Sequence, residues 1–175
     1  MKTFLLPLCL LGVLLVGAVP NAAVSKGGVV GPYNATFHKN AWFSSLLDEN
    51  APKYAVLRSS TDLENLVQNV MNNFRADTAT VPAGYWEETE QQIRQFYSRY
   101  TPEFFTKKDL IIALVDQGSG SVRYELTGLS LENGLLTIDV ARHSPMVQTM
   151  DFVSWLVFLE LDKGNVIDNV NVVLE

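Results

Sequence analysis

Leu129-Ser130-Leu131-Glu132-Asn133-Gly134-Leu135-Leu136-Thr137-Ile138 is the stretch on which the fold of this 175-residue chain turns. Asn and Gly both tolerate the positive φ that a type I′ turn demands, so Asn-Gly between apolar-rich runs is the strongest short hairpin signal. A turn at Asn133-Gly134 sets Leu131 opposite Leu136, Leu129 opposite Ile138 and Thr127 opposite Val140. The apolar pairs then share one face, as a half-buried hairpin requires. Upstream the alternation changes phase, because Val122, Tyr124 and Leu126 are even-numbered whereas Leu129 and Leu131 are odd. A one-residue bulge near Gly128 restores a common face.

On either side of the hairpin the same period-two character continues. From Asp109 onward the chain reads as strands at Leu110 to Val115, Val122 to Leu131, Leu135 to Arg142, Phe152 to Leu161 and Val166 to Leu174, the last two joined by a tight turn at Lys163-Gly164-Asn165. The N-terminal half has helical spacing. Leu63, Leu66, Val67, Val70, Met71 and Phe74 draw one stripe along a helix, with Thr61 and Glu64 in a capping-box arrangement at its start. After a loop over 75–85, a second helix runs from Trp86 to Tyr100 with Ile93, Phe96, Tyr97 and Tyr100 on the face that docks on a sheet, and Pro102 stops it. Lys53 to Arg58 reads as a short strand. The expected fold class is α+β: a bent antiparallel sheet of about five to six strands with two helices from the N-terminal half packed on it.

The chain begins with Lys2, an uncharged apolar run from Phe4 to Val19, and Pro20-Asn21-Ala22-Ala23. A short basic start, an apolar core short for a bilayer span and small residues at the exit are the parts of a secretory signal peptide. Residues 1–23 therefore read as a leader, 24–52 as a partly ordered arm with an apolar patch at Phe37, Trp42, Phe43, Leu46 and Leu47, and 53–175 as one α+β domain. Location is secreted or cell-envelope, with no stable membrane insertion once the leader is removed. Removing it leaves 12 basic against 19 acidic residues, a net charge of about −7, and takes away the only cysteine, Cys9. An acidic chain lacks the basic stripe that nucleic acid requires, and a chain without cysteine performs no thiol chemistry.

Histidines stand only at His38 and His143, and no Gly-x-Ser-x-Gly elbow is present. Neither a hydrolase triad nor a zinc spacing can be assembled from such a set. Glu87, Glu88 and Glu90 sit at a helix start, where carboxylates stabilise the dipole. Asn34-Ala35-Thr36 is an acceptor sequon in a host that glycosylates secreted chains. No catalytic residue, metal or cofactor is expected. Two loops remain. Gly118-Ser119-Gly120-Ser121, followed by Val122-Arg123, reads either as a hairpin loop or bulged crossing where the backbone approaches another strand, or as an exposed loop presenting backbone amides, and His143-Ser144-Pro145-Met146 opens a second loop. Trp155 reads as core or as a rim anchor. The candidate contact residues are Gly118, Ser119, Gly120, Ser121, Arg123, His143, Pro145 and Trp155.

Phe104-Phe105, the strand Asp109 to Val115, Gly118 to Ser121 with Val122-Arg123-Tyr124, the hairpin through Gly134, Pro145, and Trp155 leading into Val157-Phe158-Leu159-Glu160-Leu161 together resemble the PrcB-like C-terminal domain. That domain belongs to small secreted bacterial proteins, among them a subunit that stabilises a surface protease complex. The resemblance covers about residues 100–165, with a weaker echo in 53–74. The family's Gly-Gly-aromatic sequence has no counterpart here, since Ser121-Val122 follows Gly120 and the aromatic comes at Tyr124. The resemblance implies a β-rich, non-enzymatic domain outside the cytoplasmic membrane with a protein partner, a protease among the candidates. Function is thus expected to be accessory binding by protein contact through the loops at 117–123 and 143–151. A protease inhibitor, or an envelope hydrolase or carbohydrate binder using Trp42, Trp86, Tyr97 and Tyr100, stands as the alternative.

Overall fold

The computed structural model describes residues 31–39, 52–77, 84–147, 149, 151 and 153–175. The expected leader lies outside the described residues, as do Trp42, Phe43, Leu46 and Leu47. The order of elements is β1 (Tyr33–Lys39), β2 (Tyr54–Leu57), α1 (Ser60–Asp77), α2 (Tyr85–Tyr97), α3 (Phe104–Lys107), β3 (Lys108–Gly118), β4 (Arg123–Glu132), β5 (Leu135–His143), β6 (Val153–Asp162) and β7 (Asn169–Leu174). The class is α+β, but the strands form two sheets rather than the single bent one expected. One sheet has the order β1-β6-β3-β2, with every neighbouring pair antiparallel, and the other has the order β4-β5-β7. The expected arm contributes β1, which pairs along its length with β6 from Tyr33 opposite Leu161 to Lys39 opposite Trp155.

The reason for two sheets lies in the central strands. β3 and β6 are apolar on both faces, as a strand buried on both sides must be. Leu110, Ile112, Leu156 and Phe158 face one core with Leu63, Val67, Val70 and Met71 of α1 and Ile93 and Tyr97 of α2. Ile111, Ala113, Trp155, Val157, Leu159 and Leu161 face a second core with Leu129, Leu136, Ile138 and Val140 from the hairpin. Among the described residues helices cover one side of this sheet and the β4–β5 hairpin folds back over the other. The product is a three-layer stack of helices, sheet and sheet.

The hairpin matches its expected register at Leu131 opposite Leu136 and Leu129 opposite Ile138, and both Asn133 (φ 49°) and Gly134 (φ 79°) take positive φ. The register shifts between Leu126 and Gly128, which places the bulge where the phase change predicts it. The shift also sets Leu126, not Thr127, opposite Val140, so the outermost expected pair is corrected.

Two further expectations are corrected. Lys163-Gly164-Asn165 does turn the chain, with Gly164 at φ 106° and the Asn165 side-chain Nδ2 donating to the Asp162 carbonyl at 2.8 Å. It does not make a hairpin, because Ile167 is buried between the sheets and draws the chain across. There the Asp168 and Asn169 amides both donate to the Gly134 carbonyl, at 2.8 and 3.1 Å, and β7 runs parallel to β5. The cap of α1 belongs to Ser59 rather than Thr61. The Ser59 hydroxyl accepts from the Asp62 amide at 3.1 Å, and the Asp62 carboxylate reaches back past the cap residue to accept the Arg58 amide at 2.9 Å, a variant of the capping box two residues earlier. Glu64 is instead bridged by Arg94 of α2 at 2.8 and 2.9 Å. α2 ends at Tyr97, ahead of Pro102, and a turn donating the Tyr100 amide to the Tyr97 carbonyl at 2.9 Å keeps Tyr100 on the buried face.

Candidate functional site

The β3–β4 loop and the β5–β6 loop lie at one end of the stack and are tied together by short polar side chains. The Ser119 hydroxyl lies 2.8 Å from that of Ser121 and 2.9 Å from that of Thr149. The Thr149 hydroxyl bonds the Asp151 carboxylate, which also accepts the Gly120 amide at 3.1 Å. The Thr149 amide donates to the Ser121 hydroxyl at 3.2 Å. From below, the indole N–H of Trp155 donates to the Ser119 carbonyl at 3.2 Å. The Thr149 hydroxyl and the Gly120 amide together hold the Asp151 carboxyl below its usual range. The two close-lying glycines differ in what a side chain would meet. A Cβ on Gly120 would sit 2.1 Å from the Asp151 carboxylate, whereas one on Gly118 would meet only ordinary contacts with Arg142 and Asp116.

Beside this latch, Asp116 sits where β3 bulges against β6. It accepts the Tyr124 hydroxyl at 2.6 Å and faces the Arg142 guanidinium at 3.7 Å. Burial, and then the neighbouring Asp116 carboxylate, push the Tyr124 hydroxyl well above its ordinary value. Tyr124 packs edge-on against Trp155 and stacks with Phe37 of β1, and Lys39 lies over the Trp155 ring at 5.1 Å. Neither glycine loop nor rim is therefore independent of the core.

Of the residues selected from sequence, Ser119, Gly120 and Trp155 are buried, and Gly118 and Ser121 are half-buried. The amides of Gly120, Ser121 and Val122 donate to Asp151, to the Ser119 hydroxyl and to the Ser119 carbonyl. They are occupied within the chain instead of being held out to a ligand. Arg123, His143 and Pro145 are exposed, His143 lying 3.3 Å from Glu125. The exposed crest continues into Met146 and Val147, at 105% and 83% of full exposure. The structure thus brings the two loops together, with the first serving as footing for the second. Thr149, Asp151, Asp116, Tyr124 and Arg142 are the members the sequence did not single out. For Asp151 the only signal is Gly120, a glycine at a position where φ does not demand one.

Chemically, the hydroxyls of Ser119 and Ser121 bond one another, Thr149 and a backbone amide, and the chain of bonds ends on a carboxylate. A hydroxyl nucleophile needs an adjacent base to take its proton, and among the described residues no imidazole or amine nitrogen bonds either serine. No group of three or more His, Cys, Asp or Glu side chains converges among the described residues in a way that could hold a metal ion.

The other histidine lies elsewhere. His38 of β1 is wedged between Phe96 of α2 and Phe158 of β6, with ring centroids at 5.2 and 4.9 Å, and its Nε2 lies 2.9 Å from the Thr36 hydroxyl. Burial, with Arg99 nearby, lowers it to about 4. It is a neutral packing residue at neutral pH. No described helix is long and apolar enough to cross a membrane. Comparison with known protein families, with curated proteins and with solved structures finds no match to this chain.

Proposed function

We propose that this chain is a secreted, non-enzymatic accessory module that binds a protein partner through the crest of its β5–β6 loop. The observation that carries the reading is the pair Met146 and Val147, adjacent large apolar side chains almost wholly in water at the tip of a loop. Contiguous exposed apolar groups mark interaction sites more often than isolated ones do. Thr149 and Asp151, bonded to the β3–β4 loop, steady the base of that crest. A loop held near its bound shape loses less conformational freedom on association. The apolar leader at Phe4 to Val19 supports an extracytoplasmic location, and the resemblance to the PrcB-like domain supports a protease as the partner.

The test places a photo-crosslinking residue at Val147 and exposes the protein to its host's secreted and surface fraction. One protein crosslinked in preference to all others, and lost when Met146→Asp is added, is the expected result. The same bands with and without Met146→Asp would rule the crest out. Where the captured protein is a protease, its activity with and without the module separates stabilisation from inhibition.

A further inference from the structure

Among the described residues each sheet ends in two edge strands, and three of these four carry devices that discourage further pairing. β1 has Pro32 just ahead of it and ends in His38-Lys39. β2 is only four residues long, flanked by Lys53 and Arg58. β4 carries Arg123, Glu125 and Glu132 and is bulged at Thr127-Gly128. Charge, proline, bulges and shortness are the usual protections of a sheet edge. β7 is six residues long and carries no charge, proline or bulge within the strand, its only charges being the flanking Asp168 and Glu175. Its sequence Asn169-Val170-Asn171-Val172-Val173-Leu174 is uncharged and rich in β-branched residues, and its register against β5 is unbroken.

The backbone of this edge has a determined phase. Asn169 donates its amide to the Gly134 carbonyl, Glu175 donates its amide to the Val140 carbonyl, and the Glu175 carbonyl accepts from the Arg142 amide. The odd-numbered residues therefore bond β5, and the alternation of a strand turns the amides and carbonyls of Val170, Val172 and Leu174 outward. Among the described residues nothing bonds them.

From this phase we infer that the free edge of β7 pairs with β7 of a second copy of this chain, antiparallel about a two-fold axis through Val172. An antiparallel pair sets opposed side chains on the same face of the sheet, so odd residues oppose odd and even oppose even. That parity excludes the register in which Asp168 would face Glu175 of the second copy. With Val172 on the axis, Val172 exchanges both bonds with its counterpart and Val170 does so with Leu174 of the second copy. Each outward amide and carbonyl then has a partner. Val170 and Val172, already half-buried against the inter-sheet core, continue that core across the junction. Asn171 opposes Val173 on the outer face, and no like charges meet. An isologous contact of this kind closes at a dimer and builds no fibre through this edge. The ladder is about 20 Å long, short of a standard interface, so the association is expected to be weak and concentration-dependent. This inference is independent of the loop crest at Met146.

The test is a register-specific disulfide in protein carrying Cys9→Ser. One preparation carries Asn171→Cys and the other Val173→Cys, both at exposed positions. Under mild oxidation the mixture is expected to give a 171-to-173 crosslinked dimer at least tenfold above either preparation alone. Crosslinking no higher in the mixture than in the single preparations would overturn the inference. So would a sedimentation profile that stays monomeric at every concentration up to 1 mM. Val172→Pro removes an outward amide that the fold does not use and is expected to abolish the crosslink, with circular dichroism verifying that the variant is folded.

Discussion

Gly120 and Asp151 form a latch in which the carboxylate accepts the glycine amide at 3.1 Å and occupies the space a Cβ would need. The crest at Met146-Val147 therefore depends on a glycine in another loop. Gly120→Ala is expected to push Asp151 out toward water. Because the obstruction is the end of an exposed side chain, the cost falls at the low end for overpacking, about 1 kcal/mol. The same substitution in an Asp151→Ala background should cost less, since the obstruction is gone. Denaturant unfolding of the four proteins measures the difference, and strictly additive effects would show that the two residues do not form a unit.

Trp155 joins the latch to the core. Its ring packs between the sheets at 6% exposure while its N–H reaches the Ser119 carbonyl. Trp155→Phe keeps most of the packing and loses the hydrogen bond, but the Val122 amide still donates to the same carbonyl at 3.3 Å. A loss of about 1 kcal/mol is expected, against 3–5 kcal/mol for Trp155→Ala. Equal losses in the two variants would mean that the bond, not the ring, dominates.

Much of this arrangement was legible in the residues themselves. The Asn133-Gly134 turn and the bulge at Gly128 follow from backbone chemistry and from the phase of alternation, which are local properties. The helices follow from stripes at Leu63 to Met71 and at Ile93 to Tyr100. What could not be read is what lies opposite what at long range. Continuous apolar runs in β3 and β6 announce burial on both faces, but not that a hairpin supplies the second cover. The parallel partner of β7 depends on Ile167 reaching the inter-sheet core, for which a tight turn at Gly164 gives no hint. At the site, the two glycines and two serines of 118–121 left open whether the loop packs as a crossing or presents its amides. Their occupation depends on Thr149 and Asp151, some thirty positions away.

Glu64 and Arg94 make a two-point pair between α1 and α2, and the Arg94 guanidinium holds the Glu64 carboxyl down at about 2. Both side chains are about half exposed, at 51% and 43%, so water screens the attraction. Glu64→Gln is expected to cost no more than about 1 kcal/mol at pH 7. A depressed carboxyl contributes above its unfolded value and is lost as pH falls from near 4.5 toward 2. Wild type and variant should therefore converge in stability near pH 2, and a gap that persists there would assign the effect to packing.

His38 gives the part of the acid response that comes at higher pH. Its folded value is about 4 against 6.5 for the free side chain, so the unfolded chain binds the proton more readily. Stability then rises with pH between 4 and 6.5 and falls as pH drops through that window. Among the described residues the groups facing the imidazole are the Thr36 hydroxyl, the rings of Phe96 and Phe158, and Arg99, and none of these is a carboxylate that would compensate a proton there. The expected loss from this residue is on the order of 2 kcal/mol between pH 7 and pH 4, discounted for partial exposure. Phe158 ties β1, β6 and α2 together through this same ring, so protonation should loosen the β1 edge first. Urea midpoints at half-unit steps from pH 4 to 7 for wild type and His38→Gln decide it. The variant should show a visibly flatter profile in that window, and parallel profiles would place the acid sensitivity elsewhere.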